Sequence, residues 1–572
     1  ALNTVRCILS LNMLTRMRSA VSNMLGGIMA SGGGGGGGDG GGANQENEND
    51  VGTNLPLRFP YSRPDFLELC ADELQCATDH IARPILNVKE SNRLPWSTGY
   101  AEVINAGKSA LNEDQACCEV VELRKRPADP ASPSYTPTSR RRASLPTRES
   151  LESTEDSLIQ ESSHEEEELY FHYWALFDGH AGSGAAVFAS KLLHLHIEEQ
   201  LQSVLEILQK PSLQPPTFLG EESSFHVRPS ASSQRALSRA ASLRGAAGAP
   251  GSPNTLTPRF FMEKKVKQES LVIGAIENAF KEMDKHIGRE RSVYDISGGC
   301  TALVAMCLLG KLYVANAGDS RAIILRSGEI VPMSSAFTPE SERQRLQCLA
   351  YMQPHLLGSE FTHLEFPRTV SKKEVGKRML YRDYSMKGWA YKTLQEEDLR
   401  FPLVFGEGKK ARVMATIGVT RGFGDHDLKV HGTDISIKPF LSCSPEVVSL
   451  SLLHSILNRV MSDMNNVRVY NLEQFEHGAD DVMILATDGL WDVLSNKEVA
   501  EAVTSFLGNC DPDNHYRQDL QYTLAAQELV MKARGALTEQ VWRTPIGRLG
   551  SGDDISVYII PLMFGNRQTQ SR

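Results

Sequence analysis

The chain has 572 residues, of which 41% are hydrophobic, enough for one large domain with a sizeable core. Acidic residues number 70 against 60 lysines and arginines, so the formal net charge is −10. This balance argues against a general nucleic-acid binder, which would show a basic face. Ten cysteines without a Cys-x-x-Cys pair indicate free thiols in a reducing compartment. No apolar run approaches the roughly 20 residues of a membrane span.

Residues 1–54 are predicted to form a disordered, glycine-rich tail. Positions 32–38 are all glycine, and such a stretch cannot build a core. Just before it, apolar residues between 13 and 30 recur at helical spacing with arginines beside them, which predicts an amphipathic helix on a membrane surface. A disordered tail with chance periodicity is the alternative, because Gly26 and Gly27 weaken a helix.

The folded part of the chain is predicted to run from 55 to 565, followed by a tail at 566–572. A proline-rich arm leads to strands near 100–105 and 117–123. Glu113 stands at the start of the second strand, close in sequence to the basic residue Lys108.

Two stretches rich in Ser, Pro and charged residues, 127–168 and 210–259, are predicted to be disordered insertions. The first contains Arg-Arg-Arg-Ala followed by Ser144, and the second places Ser242 in a similar setting. Both serines are candidate phosphorylation sites for a basophilic kinase, although short motifs of this kind are weak signals.

Between the insertions, the apolar run 169–177 predicts a buried strand that ends in Asp178, Gly179 and His180. A helical pattern follows over 185–209. The sheet would fix the position of the Asp178 carboxylate, glycine would let a metal or substrate approach the backbone, and histidine could donate a proton near neutral pH. A polar turn in which Asp178 or His180 caps the helix is the alternative reading.

Further acidic residues stand at strand ends later in the chain. Asp319 lies in a tight turn between short strands, although Gly-Asp is common in turns for conformational reasons alone. The strand before Asp488 repeats the Asp-Gly ending, and Asp553 precedes the last strand. The run of short antiparallel strands suggests a sandwich. Glu113, Asp178, Asp488 and Asp553 all stand at strand ends, and four carboxylates at one end of a sandwich would repel each other if unpaired. Hard divalent cations prefer such oxygen ligands, so the pattern predicts a metal site.

Two segments differ from their surroundings. Residues 337–410 are charged, aromatic and too long for a plain loop, which predicts a small lobe beside the site. Residues 452–465 have an amphipathic pattern that indicates an inserted helix, and the sequence suggests no function for it.

Six segments, in this order, resemble the metal-dependent serine/threonine protein phosphatases, the PPM or type 2C family: FDGHAG, SGGCTA, NAGDSR, GVTRGFGD, LATDGLWD and SGDDISV. The RFPYSRP arm, the GWAYKT segment and the GEGKKARVMATIGVTRG run resemble the H/J/M subgroup, with the H member closest. The resemblance implies an α+β fold. We therefore expect a four-layer α-β-β-α sandwich of two mixed sheets flanked by helices, with 337–410 as an expanded flap lobe.

The resemblance also implies two divalent cations, magnesium or manganese, and a weaker third ion near Asp319. Asp178 would bridge the first two ions. Glu113 and the Gly179 carbonyl would complete one of these two sites, and Asp488 and Asp553 would hold the other. The implied reaction is hydrolysis of phosphoserine and phosphothreonine in proteins by a water that the metals activate.

Three further residues receive catalytic or binding roles from the resemblance. His180 matches the proposed general acid, and Arg421 and the flap lobe would bind the substrate. The family usually has an arginine before the Glu-Asp pair that binds phosphate. The nearest candidate here is Lys108, at a slightly longer spacing, and lysine gives up the bidentate geometry of that contact.

The subgroup resemblance implies phosphorylated Rab-type small GTPases as substrates. We further expect a cytoplasmic protein, peripheral on Golgi or other endomembranes through residues 13–30, and a homodimer. A catalytically silent scaffold that binds phosphoproteins is the alternative of another class, and only Lys108 favours it. A nucleotide-phosphate hydrolase would need a P-loop or a base-stacking motif, and the sequence has neither.

Overall fold

The computed structural model of the chain describes residues 59–124, 169–210, 217–221, 261–446, 468–509, 520–538 and 541–565. The glycine-rich tail, the helix predicted at 13–30, the insertion at 127–168, both candidate phosphoserines and the 452–465 segment lie outside these ranges. None of the helices within them combines the length and the apolarity that a membrane crossing requires.

Within the described residues, the α-helices in chain order are α1 (Ala71–Cys76), α2 (Gly184–Gln202), α3 (Leu205–Gln209), α4 (Gln268–Glu290), α5 (Arg343–Met352), α6 (Asp488–Trp491), α7 (Asn496–Gly508) and α8 (Gln521–Arg534). The strands are β1 (Leu86–Asn87), β2 (Gly99–Val103), β3 (Gln115–Leu123), β4 (Leu169–Phe177), β5 (Gly179–His180), β6 (Thr217–Glu221), β7 (Phe261–Lys265), β8 (Gly299–Cys300), β9 (Ala302–Leu308), β10 (Lys311–Ala317), β11 (Arg321–Arg326), β12 (Glu329–Pro332), β13 (Phe361–Thr362), β14 (Arg378–Tyr381), β15 (Ala390–Thr393), β16 (Phe401–Pro402), β17 (Val404–Phe405), β18 (Arg412–Val413), β19 (Phe423–Gly424), β20 (Arg468–Asn471), β21 (Val482–Ala486), β22 (Ala536–Thr538), β23 (Val541–Arg543) and β24 (Ile555–Pro561).

Two sheets form the centre of the fold. Sheet I has the strand order β1-β2-β24-β21-β11-β12, and sheet II has the order β20-β10-β9-β4-β3. Their inner faces share one apolar core. Helices α2 and α4 cover the outer face of sheet II, and α7 and α8 cover the outer face of sheet I. The predicted four-layer α-β-β-α sandwich is therefore confirmed.

Strand β4 shows why the sequence folds this way. Successive side chains of a strand point to opposite faces. Phe171 and Tyr173 belong to the core under α2 and α4, whereas Trp174 and Leu176 belong to the core between the sheets. Both faces are buried, which explains why this strand is apolar apart from the buried His172 and does not alternate between apolar and polar residues.

The prediction that the two sheets are mixed is wrong. Every pair of neighbouring strands in both sheets is antiparallel. Two of these pairs, β9–β10 and β11–β12, are hairpins with tight turns, which antiparallel strands permit, whereas most of the other neighbours are far apart along the chain. Strands β9 and β10 are joined through Leu309 and Gly310, which both have positive φ, as a two-residue hairpin turn requires.

One predicted disordered insertion is partly ordered. Within 210–259, residues Thr217–Glu221 form β6, which pairs antiparallel with Phe261–Lys265. The pairing partner lies about 40 residues away along the chain, beyond the reach of a local sequence pattern.

The flap lobe has its own hydrophobic core. It contains α5 and strands β13 to β18. Its buried apolar side chains extend past the predicted end at 410, and they include Val413, Val430 and Leu441. The compact lobe therefore reaches into the segment that leads back to the sandwich.

Strand pairing brings the predicted acidic residues to one end of the sandwich. In sheet II, Phe177 at the end of β4 pairs with Gln115 at the start of β3. In sheet I, Ala486 at the end of β21 pairs with both Arg321 of β11 and Val557 of β24. The chain segments that carry Glu113, Asp178, Asp319, Asp488 and Asp553 consequently meet at this edge.

Candidate active site

Three of the predicted carboxylates form a tight cluster at the sandwich end. Asp178 follows β4, Asp319 precedes β11, and Asp488 begins α6. Each offers a carboxylate oxygen, and these oxygens lie within 4.8 Å of one another. Among the described residues this is the one cluster of three or more potential ligands with that spacing.

The electrostatics of the cluster favour a cation. Burial raises the pKa of Asp178 well above its usual range, and the charge of Asp488 raises it further. The pKa of Asp488 is raised in the same way, by burial and then by Asp319. Burial raises the pKa of Asp319 to about 6. Three negatively charged carboxylates at this spacing repel one another unless a cation lies between them. Their ligand atoms are all oxygens, which magnesium and manganese prefer. The residues present therefore fit the implied metal.

Glu113 flanks the cluster on the side of β5. Its Oε1 accepts a hydrogen bond of 2.7 Å from the backbone N–H of Gly182, and burial raises its pKa. Its main chain lies directly against Gly179. The sequence prediction placed Glu113 and Gly179 in one metal site, and the structure brings them together.

The repeated Asp-Gly ending has a steric cause. A Cβ at Gly179 would lie 2.4 Å from the carbonyl oxygen of Glu113, and a Cβ at Gly489 would lie 2.0 Å from the carbonyl oxygen of Asp554. Any side chain at either position would push apart the two backbones that carry the acidic residues. Glycine therefore lets the segments approach closely enough for the carboxylates to cluster.

Lys108 lies on the other flank and contacts a predicted ligand. Its Nζ is 2.5 Å from Oδ2 of Asp553. Desolvation disfavours the ammonium, but Asp553 outweighs that effect, and the pKa of Lys108 is raised above its ordinary value. The Lys108 side chain is 64% exposed, so its charge remains accessible from the mouth of the site.

His180 is held by a partner that the sequence reasoning missed. Its Nε2 lies 2.8 Å from Oδ2 of Asp425, which is almost fully buried. Burial disfavours the imidazolium, but the hydrogen bond and charge of Asp425 outweigh it and raise the pKa of His180. Asp425 closes the predicted GFGD segment, so the motif was recognised but this role was not.

Two buried carboxylates next to the predicted ligands hold the surrounding backbone. Asp554 accepts hydrogen bonds from the backbone N–H groups of Asn105 and Glu113, at 2.7 and 3.1 Å. Asp114 accepts a 2.8 Å hydrogen bond from the hydroxyl of Thr487, the residue before Asp488. In each of these two acidic pairs, the first residue, Glu113 or Asp553, faces the site. The second residue, Asp114 or Asp554, holds the surrounding backbone.

Arg83 is a further residue that the sequence reasoning missed. It is completely buried, and its guanidinium donates to three carbonyl groups, those of Ile104, Ser551 and Asp553, at 2.7, 2.7 and 3.0 Å. It therefore fixes the turn that presents Asp553. Its position in the proline-rich arm gave no local signal of this function.

The prediction that Arg421 binds substrate is corrected by its environment. The residue is 4% exposed. Its guanidinium donates to Glu342 at 2.7 and 3.1 Å and to the carbonyl of Ser444 at 3.0 Å. The Phe337 ring covers its face at 3.9 Å. Because Phe337 and Glu342 lie at the start of the flap lobe, Arg421 anchors the lobe to the sandwich.

The arrangement is suited to hydrolysing a phosphate ester. Bound divalent cations would supply an activated water and charge neutralisation. His180, whose pKa is raised by its contact with Asp425, can give a proton to the departing serine or threonine oxygen. Lys108 can attract a phosphate group and balance part of its charge. The described side chains around the carboxylate cluster are those of Asp, Glu, His and Lys. The cysteines 117, 118, 300 and 307, by contrast, belong to strands of the core.

Comparison with known proteins agrees with this chemistry. The family profile for "Protein phosphatase 2C" matches residues 230–351 and 469–541. "Protein phosphatase 1H" of Danio rerio is 70% identical over 561 residues, which cover 98% of this chain and 100% of that protein. Its Homo sapiens namesake is 62% identical over 555 residues, covering 97% and 100%. "Protein phosphatase 1J" of Mus musculus is 52% identical over 505 residues, covering 88% and 86%.

Proposed function

We propose a substrate class for this chain on the premise that it belongs to the protein phosphatase 2C family and is a metal-dependent protein serine/threonine phosphatase. The proposed substrates are phosphorylated small GTPases of the Rab type. The flap lobe would bind the folded surface of the GTPase around the phosphorylated residue. The subgroup resemblance suggests this class, and the surface chemistry of the lobe supports it.

One surface of the lobe carries the proposal. Trp389 and Tyr391, at the β14–β15 hairpin, are 41% and 60% exposed. Arg382 stacks over the Trp389 ring at 4.6 Å, and Arg378 over the Tyr391 ring at 5.2 Å. Trp, Tyr and Arg are the residues that contribute most to protein–protein interfaces. We name these four residues the flap aromatic surface.

This surface is held rigidly enough to recognise a shaped partner. Arg382 makes a bidentate contact with Glu365, at 2.6 and 2.8 Å. Strands β14 and β15 pair over four residues. A rigid surface of this kind loses little conformational entropy on binding, which favours a folded protein over a flexible peptide as partner.

The test compares one phosphorylated site in two contexts. A Rab-type GTPase phosphorylated on serine or threonine and a short peptide with the same phosphosite serve as substrates. For the double variant Trp389→Ala/Tyr391→Ala, we expect kcat/KM on the GTPase to fall about tenfold, equivalent to about 1.4 kcal/mol, with the peptide unaffected. Tyr170→Ala, an exposed aromatic on β4 outside the lobe, is the matched control. Unchanged activity of the double variant on the GTPase would refute the proposal.

We further propose two catalytic cations and a weaker third one that involves Asp319. The position of Asp319 within 4.8 Å of Asp178 and Asp488 supports its participation. Calorimetric titration of the metal-free protein with manganese measures the number directly. Asp319→Asn should remove the weakest binding event and leave two, whereas an unchanged binding isotherm would contradict a third site.

For localisation we propose a cytoplasmic homodimer that contacts Golgi or other endomembranes through residues 13–30. The helical spacing of apolar residues in that stretch supports the membrane contact. Deletion of 13–30 should abolish co-sedimentation with anionic vesicles and leave activity on a soluble phosphopeptide intact. If the full chain and the variant that lacks residues 13–30 sediment equally with the vesicles, the membrane contact is refuted. The dimer is tested separately, and a monomeric mass in light scattering would refute it.

A further inference from the structure

A pair of histidines joins the two helices on the outer face of sheet II. His196 lies on α2 and His286 on α4, and Nε2 of His196 is 3.1 Å from Nδ1 of His286. The residues beside them, Ile197 and Ile287, are fully buried. Both imidazoles are thus held on a packed helix pair, and each remains partly accessible from solvent.

The spacing of the two nitrogens suits a shared metal ion. Two imidazole nitrogens that bind zinc at 2.0–2.1 Å in tetrahedral geometry lie roughly 3.3 Å apart, and at a square-planar corner roughly 2.9 Å apart. The observed 3.1 Å falls between these values. In the metal-free protein the same distance allows one neutral imidazole to donate a hydrogen bond to the other.

Helix geometry places a carboxylate beside each histidine. Glu199 follows His196 by three residues on α2, and Glu282 precedes His286 by four residues on α4, so each shares a helix face with its histidine. Both carboxylates act electrostatically on His196. Glu290 lies on a third side, with Oε1 4.0 Å from Nε2 of His286. Among the described residues no carboxylate oxygen lies within 4.8 Å of both ring nitrogens, so one of these glutamates reaches an ion bound between the imidazoles only after a change of rotamer.

The charge state of the pair also suits a ligand role. Burial lowers the pKa of His196, so its imidazole is neutral at pH 7, the form that binds metal. Lys285 and Arg289 are cations on the same helix, and Lys285 pairs with Glu282 at 2.7 Å. An incoming divalent ion competes with Lys285 for that carboxylate. The contact is on the protein surface, where such ion pairs are weak.

We propose that His196 and His286 are the two protein ligands that define a binding site for a borderline transition-metal cation, Zn²⁺ or Cu²⁺, with water or a glutamate that rotates onto the bound ion filling the remaining positions. Imidazole nitrogens select such ions over magnesium, whereas the oxygen-only cluster around Asp178 has the opposite preference. His196 lies 12 residues beyond the start of α2, about 18 Å along the helix axis. The two sites are chemically and spatially distinct.

An ion at this position would cross-link the helices that support the general acid. The loop before α2 carries His180. Helix α4 carries Asp284, whose carboxylate accepts a 3.0 Å hydrogen bond from the backbone N–H of Gly424, next to Asp425. The site therefore stiffens the elements that hold the His180–Asp425 pair without contacting either residue.

The test uses Cu²⁺ and Zn²⁺ as probes on the untagged full-length protein, with saturating Mg²⁺ present to occupy the carboxylate cluster. One equivalent of Cu²⁺ should give an electron paramagnetic resonance spectrum with hyperfine splitting from two nitrogens. Zn²⁺ should raise the melting temperature. His196→Gln and His286→Gln should each reduce the splitting to that of one nitrogen, weaken Zn²⁺ binding at least about tenfold and remove the thermal shift.

His355→Gln, an exposed histidine in the flap lobe, is the matched control and should behave as wild type. Magnesium-dependent phosphatase activity in the absence of zinc confirms that each variant is folded. A wild-type spectrum without two-nitrogen splitting would overturn the proposal, as would zinc stabilisation that persists unchanged in both His196→Gln and His286→Gln.

Discussion

Replacing Asp425 by asparagine tests whether His180 acts as a general acid whose proton Asp425 retains. The side chains have the same shape. Asp425 has a φ of 55°, a left-handed conformation that asparagine tolerates well. Its backbone N–H still donates to the Gly298 carbonyl, at 2.9 Å. The substitution therefore removes one charge and leaves the local backbone intact.

The size of the effect follows from the contact. The Nε2–Oδ2 distance is 2.8 Å, and the Asp425 side chain is 6% exposed. A hydrogen bond to a charged group contributes about 1.5–3 kcal/mol, against about 0.5–1.5 for a neutral one. The loss of roughly 1–2 kcal/mol corresponds to about one pKa unit. Because Asp425 raises the pKa of His180, the variant loses the imidazolium at lower pH.

The assay is the pH dependence of kcat at saturating magnesium. With a phosphothreonine peptide, the alkaline limb of Asp425→Asn should move about one unit toward lower pH, because the alkoxide leaving group needs a proton. The leaving group of para-nitrophenyl phosphate departs without being protonated. With this substrate, the alkaline limb should therefore be the same for wild type and Asp425→Asn. An equal displacement with both substrates would refute the general-acid role, and no displacement with either would refute the coupling to Asp425.

Stability gives an independent check on the same variant. A raised histidine pKa stabilises the fold fully below the unfolded pKa, and this contribution is lost as the pH rises through the folded pKa. The difference in melting temperature between wild type and Asp425→Asn, both metal-free, should therefore be larger at pH 5.5 than at pH 9. A difference that grows with pH would contradict the sign of this linkage.

Three other substitutions probe the site. Asp488→Asn should abolish activity. It should also raise the melting temperature of the metal-free protein by about 2–4 °C at pH 7.5, because it removes the charge repulsion that raises the pKa values of the clustered carboxyl groups. A decrease in this melting temperature would argue against that repulsion. Lys108→Ala should tighten calorimetric manganese binding by up to about fivefold, since the ammonium competes with the cation for Asp553, and weaker binding would exclude such competition. Arg421→Ala should lower the free energy of unfolding in urea by about 1.5–3 kcal/mol, because the buried Glu342 loses its hydrogen bonds to one of its two arginine partners while Arg345 remains, and a loss below 1 kcal/mol would show that the pair is not an anchor.

Features that depend on local pattern could be predicted from the sequence. The apolar strand β4 and the Asp-Gly endings follow from neighbouring residues, and the strand-end carboxylates Asp178 and Asp488 lie close together. The clustering of these carboxylates was predictable because strand ends that carry acidic residues converge at one edge of a sheet. The antiparallel pairing of the sheets was not, because strand periodicity is the same for both directions.

Residues whose function depends on distant partners were not predictable. His180 and Asp425 are separated by 245 positions, and Arg83 and the Asp553 carbonyl by 470. The partners of Arg421 were likewise not predictable. From the sequence alone, an arginine in a motif of the site is interpreted as a residue that binds substrate. Only the fold places Glu342 and the Phe337 ring against its guanidinium.

Backbone hydrogen bonds at the base of the flap lobe connect the lobe to the turn that carries Asp319. The backbone N–H of Phe337 donates to the carbonyl of Gly318, at 2.9 Å, and Gly318 precedes Asp319. The carbonyl of Phe337 in turn accepts a 3.1 Å hydrogen bond from the backbone N–H of Thr420. The entry and exit of the lobe are thus bonded to each other and to the turn of the carboxylate cluster. Because these contacts are between backbone groups, the lobe surface can change its side chains without moving Asp319.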